Sequence, residues 1–157
     1  MSEVITFYRI HEPYGCFSNF APYPVEIDGL VWPTTEHYYQ AQKFADPAYQ
    51  ERIRRDKHPS AAKGLGSSPK MPIRPDWEDV RVEMMRKAVR AKLAQHPEVA
   101  ETLLSTGDAV LVEHSPKDPF WTDGGDGSGD NTFGRLLMEL RAELQASPGE
   151  ASLDKRA

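Results

Sequence analysis

The stretch "DWEDVRVEMMRKAVRAKLAQ", residues 76–95, constrains the fold more than any other part of the chain. Trp77, Val80, Met84 and Ala88 share one helical face, and Met85 and Val89 widen it. Apolar residues recurring every three or four positions specify a helix with one buried side. Asp76 stands before the run and Asp79 three residues later, an approximate capping box that marks the start. The stripe reads as core. Trp77 has a second reading, as the wall of a pocket.

The remaining elements are shorter. "VITFYRI" (4–10) alternates as a strand does, and "YPVEIDGLVWPT" (23–34) is a hairpin turning at Asp28-Gly29. Pro33-Thr34-Thr35 opens the helix "EHYYQAQKFA", with Thr35 as N-cap and Glu36 in the first turn. Residues 46–55 form another helix, and 58–68 a short one ending at Gly64 or Gly66. Pro97 begins "PEVAETLLST", which stops at Gly107. "AVLVEH" (109–114) is a short strand. In "NTFGRLLMELRAELQA", Phe133, Leu136, Leu137, Leu140 and Leu144 line one side of a last helix. Four to six helices and three or four short strands, without regular alternation, predict an α+β, mostly helical fold rather than a doubly wound parallel sheet. Residues 1–146 are expected to form a single domain, and the polar tail 147–157 to be disordered.

No apolar run approaches the ~20 residues of a membrane span. The N-terminus lacks the basic and apolar segments of a secretory signal. Cys16 is the only cysteine, which excludes an internal disulfide and a cysteine-rich zinc site. A cytoplasmic enzyme or binding module is expected. The net charge of -5 argues against tight, sequence-independent binding to nucleic acid. It leaves room for a small phosphorylated ligand, which needs only one or two cations and some N–H groups.

Four short stretches carry candidate chemistry. The first is "DPFWTDGGDGSGDNTFGR", residues 118–135. A calcium loop starting at Asp126 fails, because Asn131 stands where Gly is needed and Leu137 where Glu is needed. An ordinary mobile loop and a ligand loop both remain open. As a ligand loop, Gly125, Gly127 and the helix start near Asn131 would offer N–H groups to a phosphate, with Arg135 adding charge. Trp121 supplies a flat face for a base, and Asp118 and Asp123 supply carboxylates. In the second, "WPTTEHYYQAQKF", Glu36, Gln40 and Lys43 line one helical face if 36–44 is helical; a solvated face explains the spacing equally, with His37 and Gln40 as surface groups. His37 has no second His at metal spacing. In the third, "CFSNF", Phe17 and Asn19 either hold a base or serve the core. The fourth, "AAKGLGSS", offers Lys63 beside two glycines, without the spacing of a P-loop.

Together the stretches "FSNFAPYPVEIDGLVWPTTEHYYQAQKF", "AAKGLGSS", "RPDWEDVRVEMMRKAVRAKL", "HPEVAETLLSTGDAVLVEHSPKDPFW" and "DGGDGSGDNTFGRLLMELR" resemble the NADAR superfamily, and more closely its YbiA-like (RibX-like) members. The likeness runs from about Phe7 to Arg141. It implies a mainly helical α+β domain with N-glycosidase activity on ribosylamino-pyrimidine phosphates, early intermediates of the riboflavin pathway. Other branches are linked to ADP-ribose, including its removal from guanine bases, and a non-catalytic ADP-ribose or nucleotide module is a further alternative. The family usually reads Trp-Gly-Asp where this chain has Trp121-Thr122-Asp123, a departure that bears on substrate preference.

Breaking a ribosyl C–N bond builds positive charge at C1′, which a carboxylate stabilises while orienting water. No metal or other cofactor is required. Glu36 or Asp123 is the expected carboxylate, with Asp118 a further candidate. Phe17 and Trp121 would sandwich the base and Asn19 would read its edge. Lys43, Lys63 and Arg135, with the 124–129 backbone, would hold phosphate. Glu113 and His114 follow a strand, with either a site or a structural role.

Overall fold

The computed structural model describes residues 3–146; the tail expected to be disordered lies outside the described residues. In chain order the elements are β1 (Val4–Phe7), a 3-10 turn (Gly15–Phe17), β2 (Val25–Ile27), β3 (Leu30–Trp32), α1 (Thr35–Ala41), α2 (Pro47–Arg55), α3 (Pro59–Gly66), α4 (Trp77–Gln95), α5 (Pro97–Ser105), β4 (Val110–Glu113) and α6 (Thr132–Ala146). The fold is α+β and mostly helical. Among the described residues, no helix is long and apolar enough to cross a membrane.

Contacts gather the chain into two compact units: Asn19–Gln95, and the residues up to Ser18 together with those from His96 on. The Asn19–Gln95 unit starts with the antiparallel hairpin of β2 and β3, in which Val25 faces Trp32. Asp28 and Gly29 turn it with φ of 53° and 85°, the left-handed pair that matches strand twist. Val25, Ile27, Trp32, Tyr38, Phe44 and Ile53 form the heart of its core, which reaches Ala88 of α4. On α4 the expected stripe is buried at Trp77, Met85, Ala88 and Val89, whereas Val80 and Met84 are half-buried.

The boundaries of α1 correct the sequence reading. Thr34, not Thr35, is the N-cap, and its hydroxyl accepts from the His37 N–H. The helix stops at Ala41 rather than continuing to 44. Lys43 N–H and Phe44 N–H donate to the carbonyls three residues back, which tightens the exit into a 3-10 turn.

In the other unit, β1 and β4 pair in parallel, with Val4 opposite Val110. Helix α6 packs on β4 and α5 packs on α6. Phe133, Leu136, Leu137 and Leu140 are buried as expected, while Leu144 is half-buried. Phe7 sits between Phe17, edge to face at 5.5 Å, and Phe133 at 6.1 Å.

Candidate active site

Glu36 enters the Asn19–Gln95 unit in the first turn of α1 and is 7% exposed. Its backbone N–H donates to the Asn19 carbonyl at 3.2 Å. The Asn19 side chain is committed too: its Oδ1 accepts from the Thr35 hydroxyl at 2.7 Å, and its amide points to the Met85 sulfur at 3.4 Å. Asn19 therefore ties down the start of α1. One turn along α1, Gln40 Nε2 donates to Glu36 Oε2 at 2.6 Å. The expected solvated alternative for this face is thus excluded, because Glu36 and Gln40 are both buried.

Lys43 lies beyond the end of α1 and donates to the Gly66 carbonyl at 3.2 Å, with its ammonium 5.9 Å from the Tyr39 ring centroid. Tyr39 meets Trp77 at 5.1 Å. Lys63 is exposed on α3. His37 is wholly buried rather than at the surface. Its Nε2–H donates to the Asp56 carbonyl at 2.8 Å, and its Nδ1 accepts from the Thr34 hydroxyl at 2.8 Å. Burial lowers its pKa, and the Asp56 carbonyl and carboxylate oppose that only in part. The neutral ring locks α1 to the end of α2.

The loop between β4 and α6 belongs to the other unit and is organised around Asp123. Asp123 Oδ2 accepts from His114 Nδ1 at 2.7 Å. Its Oδ1 accepts from the N–H groups of Ser115, at 3.1 Å, and Gly125, at 2.8 Å. Burial works to raise the Asp123 pKa, but the bonds from His114, Gly125 and Ser115 outweigh it and hold the carboxyl below the ordinary aspartate value. Both oxygens are occupied, so the geometry makes Asp123 an anchor of the loop. Thr122 is buried. Its hydroxyl lies within reach of the Ser115 and Lys117 carbonyls and accepts from the Gly124 N–H. It stitches the loop internally.

Three expectations for this loop are corrected. Its N–H groups do not form an open anion cradle: Gly125 donates to Asp123 Oδ1, Gly127 and Gly129 to the Asp123 carbonyl, and Ser128 to Asp126. Nor is the start of α6 open to an anion, because Thr132 and Phe133 donate to the carbonyls of Phe120 and Trp121. Asn131 spends its side chain on β4, accepting from Glu113 N–H at 3.0 Å and donating to the Leu111 carbonyl at 2.9 Å. Phe17 is likewise a core residue, 2% exposed and enclosed by Tyr14 and Phe7. Trp121 is 6% exposed, with Phe120 edge-on at 5.0 Å. The Asp118 side chain is exposed, and exposed Arg135 folds back on the Asp130 carbonyl and Thr132 hydroxyl.

Two constellations escaped the sequence reading, His114 with Asp123 and Gln40 with Gly66. The i,i+4 spacing of Glu36 and Gln40 was the one available signal for the second; the contact with Gly66 comes from a different helix.

Comparison with known proteins adds to this geometry. The NADAR domain family matches residues 6–145. The chain is 51% identical to the N-glycosidase YbiA of Escherichia coli over 141 residues, covering 90% of this chain and 88% of that one. It is 48% identical over 145 residues to a riboflavin biosynthesis protein of Vibrio vulnificus, covering 92% of this chain and 40% of that longer one. The NMR structure of E. coli YbiA superposes with a TM-score of 0.88 at 49% identity, over 96% of this chain and 90% of that one.

Proposed function

This chain belongs to the NADAR domain family, and on that premise we propose that it is an N-glycosidase acting on early riboflavin-pathway intermediates, the ribosylamino-pyrimidine phosphates. The reaction adds water across the C1′–N bond. The nitrogen leaves with the bonding pair and takes a proton, water oxygen bonds to C1′, and the water's second proton remains on the sugar hydroxyl. The products are a free base and a ribose phosphate. The substrate is small, phosphorylated and nucleotide-like, and the setting we assign is the cytoplasm.

The single observation that carries this reading is the braced, buried carboxylate of Glu36. A carboxylate withdrawn from bulk water interacts strongly with the cationic charge that develops at C1′. Held by Gln40, it needs no reorganisation as that charge appears. Glu36 is therefore assigned to the oxocarbenium-like state and to orienting the water. Asp123 already accepts three hydrogen bonds within its own loop, which favours Glu36 for both tasks, and Asp123 and Asp118 are the alternative carboxylates. Lys43 and Lys63, which share the Asn19–Gln95 unit with Glu36, are assigned to phosphate.

Mass detection of released base and ribose phosphate tests the reading. Wild type should release both from the ribosylamino-pyrimidine phosphate, and Glu36→Gln should lower turnover by roughly 10²–10³, the scale for removing one preorganised charge-stabilising group. Release from ADP-ribosylated guanine but not from the pyrimidine would assign the activity to that substrate instead. Near-normal turnover of Glu36→Gln would remove Glu36 from the chemistry.

A further inference from the structure

A helical glycine stands where α3 meets α1. Gly66, the last residue of α3, is buried. A methyl group built on its Cα would fall on the Gln40 side-chain amide, far inside van der Waals contact with Oε1 and Cδ. The neighbouring Gly64 is exposed and has open space at the same position. The requirement for a bare Cα is thus specific to the residue that faces Gln40.

The same amide is the group that donates to Glu36 at 2.6 Å. Its oxygen is buried and has no hydrogen-bond partner among the described residues. Buried polar atoms without partners are rare, because each forfeits its bonds to water. Here the amide is placed to serve its nitrogen at the expense of its oxygen. The Gly66 carbonyl meanwhile accepts from Lys43. One residue therefore seats the brace of Glu36 through its missing side chain and holds Lys43 through its backbone.

We infer that Gly66 is a positioning residue for Glu36, acting through Gln40. The inference rests on Glu36 being the reacting carboxylate. A Cβ at position 66 meets the Gln40 amide first and the Gln40 Cβ at 3.0 Å, so Gly66→Ala is expected to fold, expelling the amide with a small shift of α3 against α1. Loss of the Gln40 bond removes one restraint on the carboxylate and shifts its placement. A displacement of this kind lowers kcat on the order of tenfold to a hundredfold with KM little changed.

The test is a double-mutant cycle of Gly66→Ala and Gln40→Ala, read by base release and by NMR of the Gln40 side-chain amide. Each single variant should lower kcat by a similar factor, and the double variant should lose no more than either alone. In Gly66→Ala the Gln40 amide protons should shift and exchange faster with solvent. Losses that multiply in the double variant would overturn the inference, since Gly66 would then act independently of Gln40. An amide signal unmoved by Gly66→Ala would overturn it whatever the activity. Wild-type inactivity on every glycoside would instead sink the assignment of function, and the amide signal would still decide whether Gly66 seats Gln40.

Discussion

His37 is buried with both ring nitrogens engaged, and its pKa lies below the ordinary histidine value because burial disfavours the cation. Protonation would turn Nδ1 into a donor facing the Thr34 hydroxyl, which already accepts from the His37 N–H. The unfolded chain binds this proton in a range where the folded protein does not, so stability is full above the ordinary value of about 6.5 and falls as pH drops below it. Denaturant unfolding at pH 7.5 and 5.5 should show the loss, and His37→Gln should flatten the slope. None of this was legible from the sequence, because the partner that buries the ring is a carbonyl at Asp56, a group every residue carries. Glu36 was legible as a chemical group but not as a braced one. Asp123 was legible as a carboxylate, yet its three donors come from the folding of the loop around it.

Elements were easier to read wherever their signals are local. Proline at the first helical position, the Asp-Gly turn and the apolar stripes placed α2, α3, α5, α4, α6 and the β2–β3 hairpin to within a few residues. The parallel pairing of β1 with β4 has no local signature, since two four-residue strands far apart in sequence specify neither direction nor partner. The joint between β4 and α6 is similarly hidden. Asn131 looked like a ligand group at a helix start, but it completes the hydrogen bonding of β4. Asn131→Ala would leave the Glu113 N–H and the Leu111 carbonyl without that partner and should cost about 2 kcal/mol. Urea titration should show a lower midpoint with an unchanged m-value.

At the scale of the whole molecule, charge weighs against a long polyanionic substrate. The net charge is -5, and in the basic run of α2 both Arg54 and Arg55 are paired with Glu51. Counterion release, the dominant drive for gripping a phosphate backbone, needs several uncommitted cations. Duplex DNA should therefore not inhibit hydrolysis of the small phosphorylated glycoside. A competition assay in low salt checks this, and inhibition that weakens steeply with added salt would contradict it.

The partnership of Val4 with Val110 also dictates a timetable. During synthesis the first strand emerges early and waits while about 100 further residues are made, roughly 10 s at ordinary translation speed. Asn19–Gln95, whose hairpin and helices neighbour one another along the chain, can condense on the ribosome during that interval. The opening strand cannot, and its ladder edge stays bare until the fourth strand clears the exit tunnel. Nascent-chain arrest before Val110 should leave Val4–Phe7 open to chaperone and protease, and release beyond it should close that window.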